Sequence, residues 1–123
     1  MQQERDSWKR RLDYLSQENT LLKIRLAEVL KSRDEGMDLL IAAEQYQNWF
    51  LQQDDIIRLL RYEIAGLDAA SKNKELNKRE IHTTVRQQQV KLENELVKTE
   101  TAFNNLKNHF NKYVDNSSLR GSE

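Results

Sequence analysis

The sequence predicts an all-α fold, an antiparallel three-helix coiled-coil bundle with long helices, and three observations carry that reading. Proline is absent and glycine occurs only as Gly36, Gly66 and Gly121, so little in 123 residues interrupts a helix. Hydrophobic residues make up 37% of the chain against 33% charged, a balance that suits elongated helices better than a thick globular core. Apolar residues also recur at alternating steps of four and three, the spacing that holds side chains on one seam of a coiled coil.

The first helix is expected over about residues 4–32, with the seam Trp8, Leu12, Leu15, Asn19, Leu22, Leu26 and Val29. Continued further, that phase would meet Arg33, Gly36, Gln47 and Asp54, so it must restart. A second phase runs through Leu39, Ala43, Tyr46, Phe50, Gln53, Ile57, Leu60, Ile64 and Leu67, which places helix two at about 35–69. Between the two, Lys31 and Arg33 suit a helix C-terminus, Ser32 and Glu35 have capping-box spacing, and Gly36 relaxes the backbone. Gly66, Ser71 and Asn73 supply the next stop and start signals. Helix three is expected over about 74–115, on the stripe Ile81, Val85, Gln88, Leu92, Leu96, Thr99, Phe103, Leu106, Phe110 and Tyr113. Its extra four-residue step from Leu92 to Leu96 would unwind a supercoil locally. The polar stretch 116–123 reads as a disordered tail beyond a single domain at 1–115.

Short links fold such helices back antiparallel. The best match of seams then sets Leu60 against Ile81, Ile57 against Val85, Gln53 against Gln88 and Phe50 against Leu92, while Trp8 meets Leu60 and Asn19 meets Phe50. This register implies a polar core belt of Asn19, Gln53 and Gln88, whose amides would bond one another and penalise slipped alignments. It also sends Leu106, Phe110 and Tyr113 past the start of helix two, where they would cover the first turn or meet another chain.

Charge is uneven although the net charge is zero. An acidic middle, residues 34–71, lies between two basic segments, which suggests pairing within the chain. Antiparallel folding would gather Arg5, Lys9, Arg10, Arg11, Lys72, Lys74, Lys78 and Arg79 at one pole as candidate anion-binding residues, with Glu63 and Asp68 close enough to neutralise them. The stretch SWKRRLDYLSQENTLL resembles a basic region running into a leucine zipper, but Lys9, Arg10 and Arg11 overlap the Trp8 and Leu12 seam and leave no separate basic helix to cross a major groove.

Signs of chemistry are few. No cysteine offers a disulfide or a thiolate zinc site, and His82 and His109 stand too far apart on one helix to share a metal. No glycine-rich phosphate loop or Gly-x-Ser-x-Gly elbow occurs, and Asp54 and Asp55 point in divergent directions. The start, MQQERDSWKRR, has no apolar signal region and no apolar run approaches a membrane span, which gives a cytoplasmic expectation. The function expected is therefore that of a non-enzymatic interaction or scaffold protein without cofactor or small-molecule substrate, whose partner is another protein or a second copy of itself. Candidate contacts are Trp49, Tyr14, Leu21 and Ile24, together with the overhanging Leu106, Phe110 and Tyr113. Ala42, Trp49 and Ile56, spaced by seven, also fit a middle helix with a wide apolar face touching two neighbours. The alternative is a peripheral binder of a polyanion, nucleic acid or anionic membrane, through the basic pole.

Overall fold

Helix α1 spans Gln2–Lys31, α2 Met37–Ser71 and α3 Lys78–Gly121. The structure, a computed structural model, describes the backbone of residues 2–31, 37–72 and 78–121 and the side chains within 3–31, 40–72 and 83–116. The expected signals at Ser32, Glu35, Gly36 and Asn73 lie outside the described residues. Two expected boundaries move. Gly66 does not stop α2, because Ile64 and Leu67 on either side are buried, and burial of two large side chains outweighs the cost of about 1 kcal/mol that glycine imposes on a helix. The helix closes instead at Ser71, whose hydroxyl donates to the Asp68 carbonyl while the Lys72 amide donates to that of Ala69. At the other end α3 runs on to Gly121 where a tail after residue 115 was expected, since Asn116, Ser117 and Ser118 are only weakly unfavourable to a helix already propagating.

Side-chain contacts give the direction of each helix. On α1 and α2, Arg5 pairs with Asp68, Asp13 with Arg61 and Lys23 with Asp54, so partner numbers fall as α1 numbers rise and the two run antiparallel. Between α1 and α3 they rise together, Trp8 with Glu93, Arg11 with Glu100, Glu18 with Lys107, and those two helices are parallel. Each packs more extensively on α2 than on the other. The core is the set of seams: Trp8, Leu12, Leu15, Leu22 and Leu26 from α1, Ala43, Tyr46, Phe50, Ile57, Leu60, Ile64 and Leu67 from α2, and Val85, Leu92, Leu96, Phe103, Phe110 and Val114 from α3.

The α2·α3 register differs from the expected one. Phe50 stacks edge to face on Phe110 at 5.1 Å and Tyr46 lies 5.3 Å from Phe110 and 5.0 Å from Tyr113, ring centroid to ring centroid. The partner of Phe50 is thus Phe110, not Leu92, a slide of about 18 residues or roughly 27 Å of helix. Physically, the expected register matched two glutamines and left two aromatics of α3 without partners on α2. The observed one buries them against two more, and each ring carries about 150–250 Å² of surface. Leu106, Phe110 and Tyr113 consequently do not overhang; they belong to the core or pack against it.

The seam of α3 is corrected too. Gln89, not Gln88, is buried. With that exchange Val85, Gln89, Leu92, Leu96, Thr99, Phe103, Leu106 and Phe110 alternate steps of four and three, and the expected local unwinding after Leu92 disappears.

Candidate interaction surfaces

Asn19 sits on the α1 seam with 0% of its surface exposed. Its Nδ2 donates to the Phe50 carbonyl at 2.8 Å and to Asp54 Oδ1 at 2.8 Å, and Asp54 Oδ2 accepts from Lys23 Nζ at 2.5 Å. The polar layer of the bundle is therefore Asn19, Asp54 and Lys23. Gln53 is half-buried beside it and Gln88 faces solvent, so the three amides do not form a belt. The expected divergence of Asp54 and Asp55 holds, and Asp54 is the one that turns inward, half-buried against Asn19, while Asp55 is exposed. Asn19 Oδ1 and Gln53 Oε1 are buried and accept no hydrogen bond among the described residues.

The basic pole is largely consumed inside the fold. Arg5 is buried and ion-paired to Asp68, which also accepts from Lys9 Nζ at 3.0 Å. Burial pushes the Asp68 carboxyl up, but Lys9 and then Arg5 more than offset this and hold it below the ordinary aspartate value. Arg11 reaches across to α3, where Nη2 donates to Glu100 at 2.5 Å and Nη1 to Glu93 at 3.1 Å. Glu93 also accepts the Trp8 indole N–H at 2.6 Å. Its carboxyl is pushed up by burial and down further by the bonds from Trp8 and Arg11, and ends below the ordinary glutamate value. Arg10 and Lys72 are exposed, while the side chains of Lys74, Lys78 and Arg79 lie outside the described residues. Arg5, Lys9 and Arg11 act as staples of α1 to α2 and α3.

The apolar candidates separate into two groups. Tyr14, Leu21 and Ile24 are exposed on α1, the Tyr14 hydroxyl bonded to Glu18. Trp49 is partly exposed and, with Gln53, Ala102, Asn105, Leu106 and His109, lines a shallow groove of about 270 Å³ between α2 and α3. Its ring meets Tyr46 edge-on at 5.3 Å, so one side of the indole is tied to the core. Ile56 is also exposed, by 38%, and Ala42 is half-buried. Phe110 is fully buried and offers nothing to a partner.

Sequence reasoning missed the outward face of α2. Leu51, Leu59 and Tyr62 are exposed there, Tyr62 by 79%. The signal was present: Leu51, Asp55, Arg58 and Tyr62 follow the same four-three rhythm as the core seam, on the opposite side of the helix.

Among the described residues, no group of three His, Asp or Glu side chains could hold a metal ion, and no helix is long and apolar enough to cross a membrane. No protein-family model, curated protein or solved structure matches the chain.

Proposed function

We propose that the chain is a non-enzymatic interaction module, a rigid three-helix bundle that presents helix faces to protein partners. The observation that carries this reading is the outward face of α2, where Ile41, Leu51, Leu59 and Tyr62 stand exposed on a helix whose core seam is already filled. Single exposed apolar residues are ordinary on any surface. Several large ones on one helix face, where charged residues would keep a monomer soluble, mark a contact site. Tyrosine in particular supplies large contact area with little conformational freedom to lose. The polyanion alternative draws less support, because three of its four α1 cations are held by Asp68, Glu93 and Glu100.

Placing a photoreactive residue at Tyr62 in the cells that make the protein tests the proposal. Adducts of discrete mass are expected at Tyr62 and none at Lys91, which is exposed among charges. Absence of adducts at Tyr62, Tyr14 and Trp49 alike would overturn it.

A further inference from the structure

We infer that the outward face of α2 docks on the same face of a second copy of this chain, antiparallel, about a two-fold axis passing between Asp55 and Arg58. The inference rests on the reading of the chain as an interaction module and names the occupant of one of its faces.

Between Glu44 and Ala69 the face carries a row of eight residues at alternating steps of four and three: Glu44, Asn48, Leu51, Asp55, Arg58, Tyr62, Ala65 and Ala69. All eight are exposed. A four-three row with apolar members is what one helix offers another in a coiled coil, and here none of the described residues of the same chain takes it up. Read backwards about its midpoint, the centre of the row complements itself. Leu51 comes opposite Tyr62 of the second copy, Asp55 opposite Arg58, Asn48 opposite Ala65 and Glu44 opposite Ala69. A two-fold interface requires this property, since the same patch must serve both sides.

Charge selects the alignment. Besides Glu44 near one end, the row holds two charges, Asp55 and Arg58, exposed by 71% and 76% at their side chains and 2.9 Å apart within one chain. Such an exposed pair contributes little to a monomer. Across the two-fold each Asp55 carboxylate meets the Arg58 guanidinium of the other copy, two contacts in all, in a setting partly closed to water by Leu51 and Tyr62 above and below. A slip by one turn in either direction would set apolar side chains against charges. Leu59, exposed at the edge of the row, widens the apolar contact.

Gly66 agrees with this placement. It is exposed, it sits within α2 without a positive φ, and a Cβ added there would meet nothing within 4 Å, so nothing among the described residues calls for glycine. Beside Ala65 and Ala69 it leaves that end of the helix narrow enough for a second helix to approach closely.

Sedimentation of the full chain tests the inference. The wild type should be a dimer at concentrations where Asp55→Arg and Arg58→Asp, each alone, sediment as monomers, because each places like charges opposite each other at both central contacts. Each single substitution should weaken self-association by about tenfold or more. Mixing the two variants should restore a dimer containing one chain of each, since opposite charges then face each other again. Thermal melting of each variant checks that the bundle itself is unchanged. A wild type that stays monomeric at its highest soluble concentration overturns the inference, as does a dimer indifferent to both substitutions or a mixture that fails to pair. A monomeric wild type whose Tyr62 nonetheless forms adducts with another protein would leave the interaction module standing and remove only the self-pairing.

Discussion

The two interfaces of α2 are built from different materials. Toward α1 it presents a ladder of charge: Asp68 to Arg5 and Lys9, Arg61 to Asp13, Asp54 to Lys23, with Asn19 bonded at Phe50 and Asp54. Toward α3 it presents rings, Tyr46 and Phe50 against Phe110 and Tyr113, and the carboxyl of Glu63 beside Glu95 of α3, a pair that bonds only when one of the two holds a proton. A charge ladder fixes alignment by the order of its signs, and a slipped ladder meets like charges. A ring cluster fixes alignment by volume and area, and it tolerates unfavourable neighbours because the apolar surface it buries is large.

If ring packing holds the α2·α3 register, Phe110→Ala should be the most damaging single truncation in that interface. A fully buried phenylalanine reduced to alanine costs about 3–5 kcal/mol, part from transfer and part from the cavity left among Tyr46, Phe50 and Tyr113. Urea unfolding followed by circular dichroism would show the midpoint falling accordingly. A loss below about 1 kcal/mol would mean the cluster fills space without setting the register.

The same contrast separates what the sequence disclosed from what it hid. Helix existence and the α1 and α2 seams follow from periodicity, because an unbroken four-three rhythm has few other ways to bury its residues. The meeting of Asn19 with Phe50 was legible for the same reason, and the ion pairs of that interface follow along α2 at Asp54, Arg61 and Asp68, about one, three and five turns beyond Phe50. The α2·α3 alignment was not legible, since matching the two polar interruptions, Gln53 and Gln88, looked as good on paper as matching rings. Choosing Gln88 over its neighbour Gln89 puts the extra four-residue step from Leu92 to Leu96, whereas choosing Gln89 puts it along Ile81, Val85 and Gln89, so the rhythm alone does not decide between them. The basic pole was legible in part: Asp68 was among the carboxylates expected to neutralise it and does pair with Arg5 and Lys9, while the turn of Arg11 toward Glu93 and Glu100 on α3 was not foreseen.

Asn19→Leu sharpens the comparison from the polar side. Asn19 makes two hydrogen bonds, yet its Oδ1 is buried and accepts none among the described residues. Leucine would extend the run of Leu15 and Leu22, and Asp54 would keep its ion pair with Lys23. Stability should rise by about 1 kcal/mol, a gain of roughly 4–8 °C in Tm for a domain near this size. The cost should appear as lost uniqueness, seen as extra amide resonances, because an apolar seam no longer distinguishes one alignment from its neighbours. A fall in Tm with a single set of resonances would instead make the Asn19 layer a net stabilising element.

The smallest effect, and the one that most directly opposes the two interfaces, is their response to acid. Burial is the largest influence on Glu63 and pushes its carboxyl up; the bond to Glu95 and that group's charge push it higher still, against a smaller opposite pull from Lys91. A carboxyl raised in the folded state binds a proton more readily there than in the unfolded chain. Its favourable contribution is therefore present at pH values below the ordinary glutamate value of 4.5 and is lost as pH rises through the folded value above it. Asp68 behaves the opposite way: held below the ordinary 3.8 by Lys9 and Arg5 despite burial, it contributes above that value and is lost as pH falls through its lower folded one. Mild acid should thus tighten α2 on α3 first, and stronger acid should then loosen α2 from α1. Glu63→Gln isolates the first phase, because glutamine keeps the hydrogen bond to Glu95 and removes the like charge. The variant should melt above wild type at pH 7, and the difference should shrink as pH falls toward 4.5, with the loss at lower pH unchanged because Asp68 is untouched. A constant difference across the whole range would show that the Glu63 and Glu95 pair does not share its proton in the folded bundle.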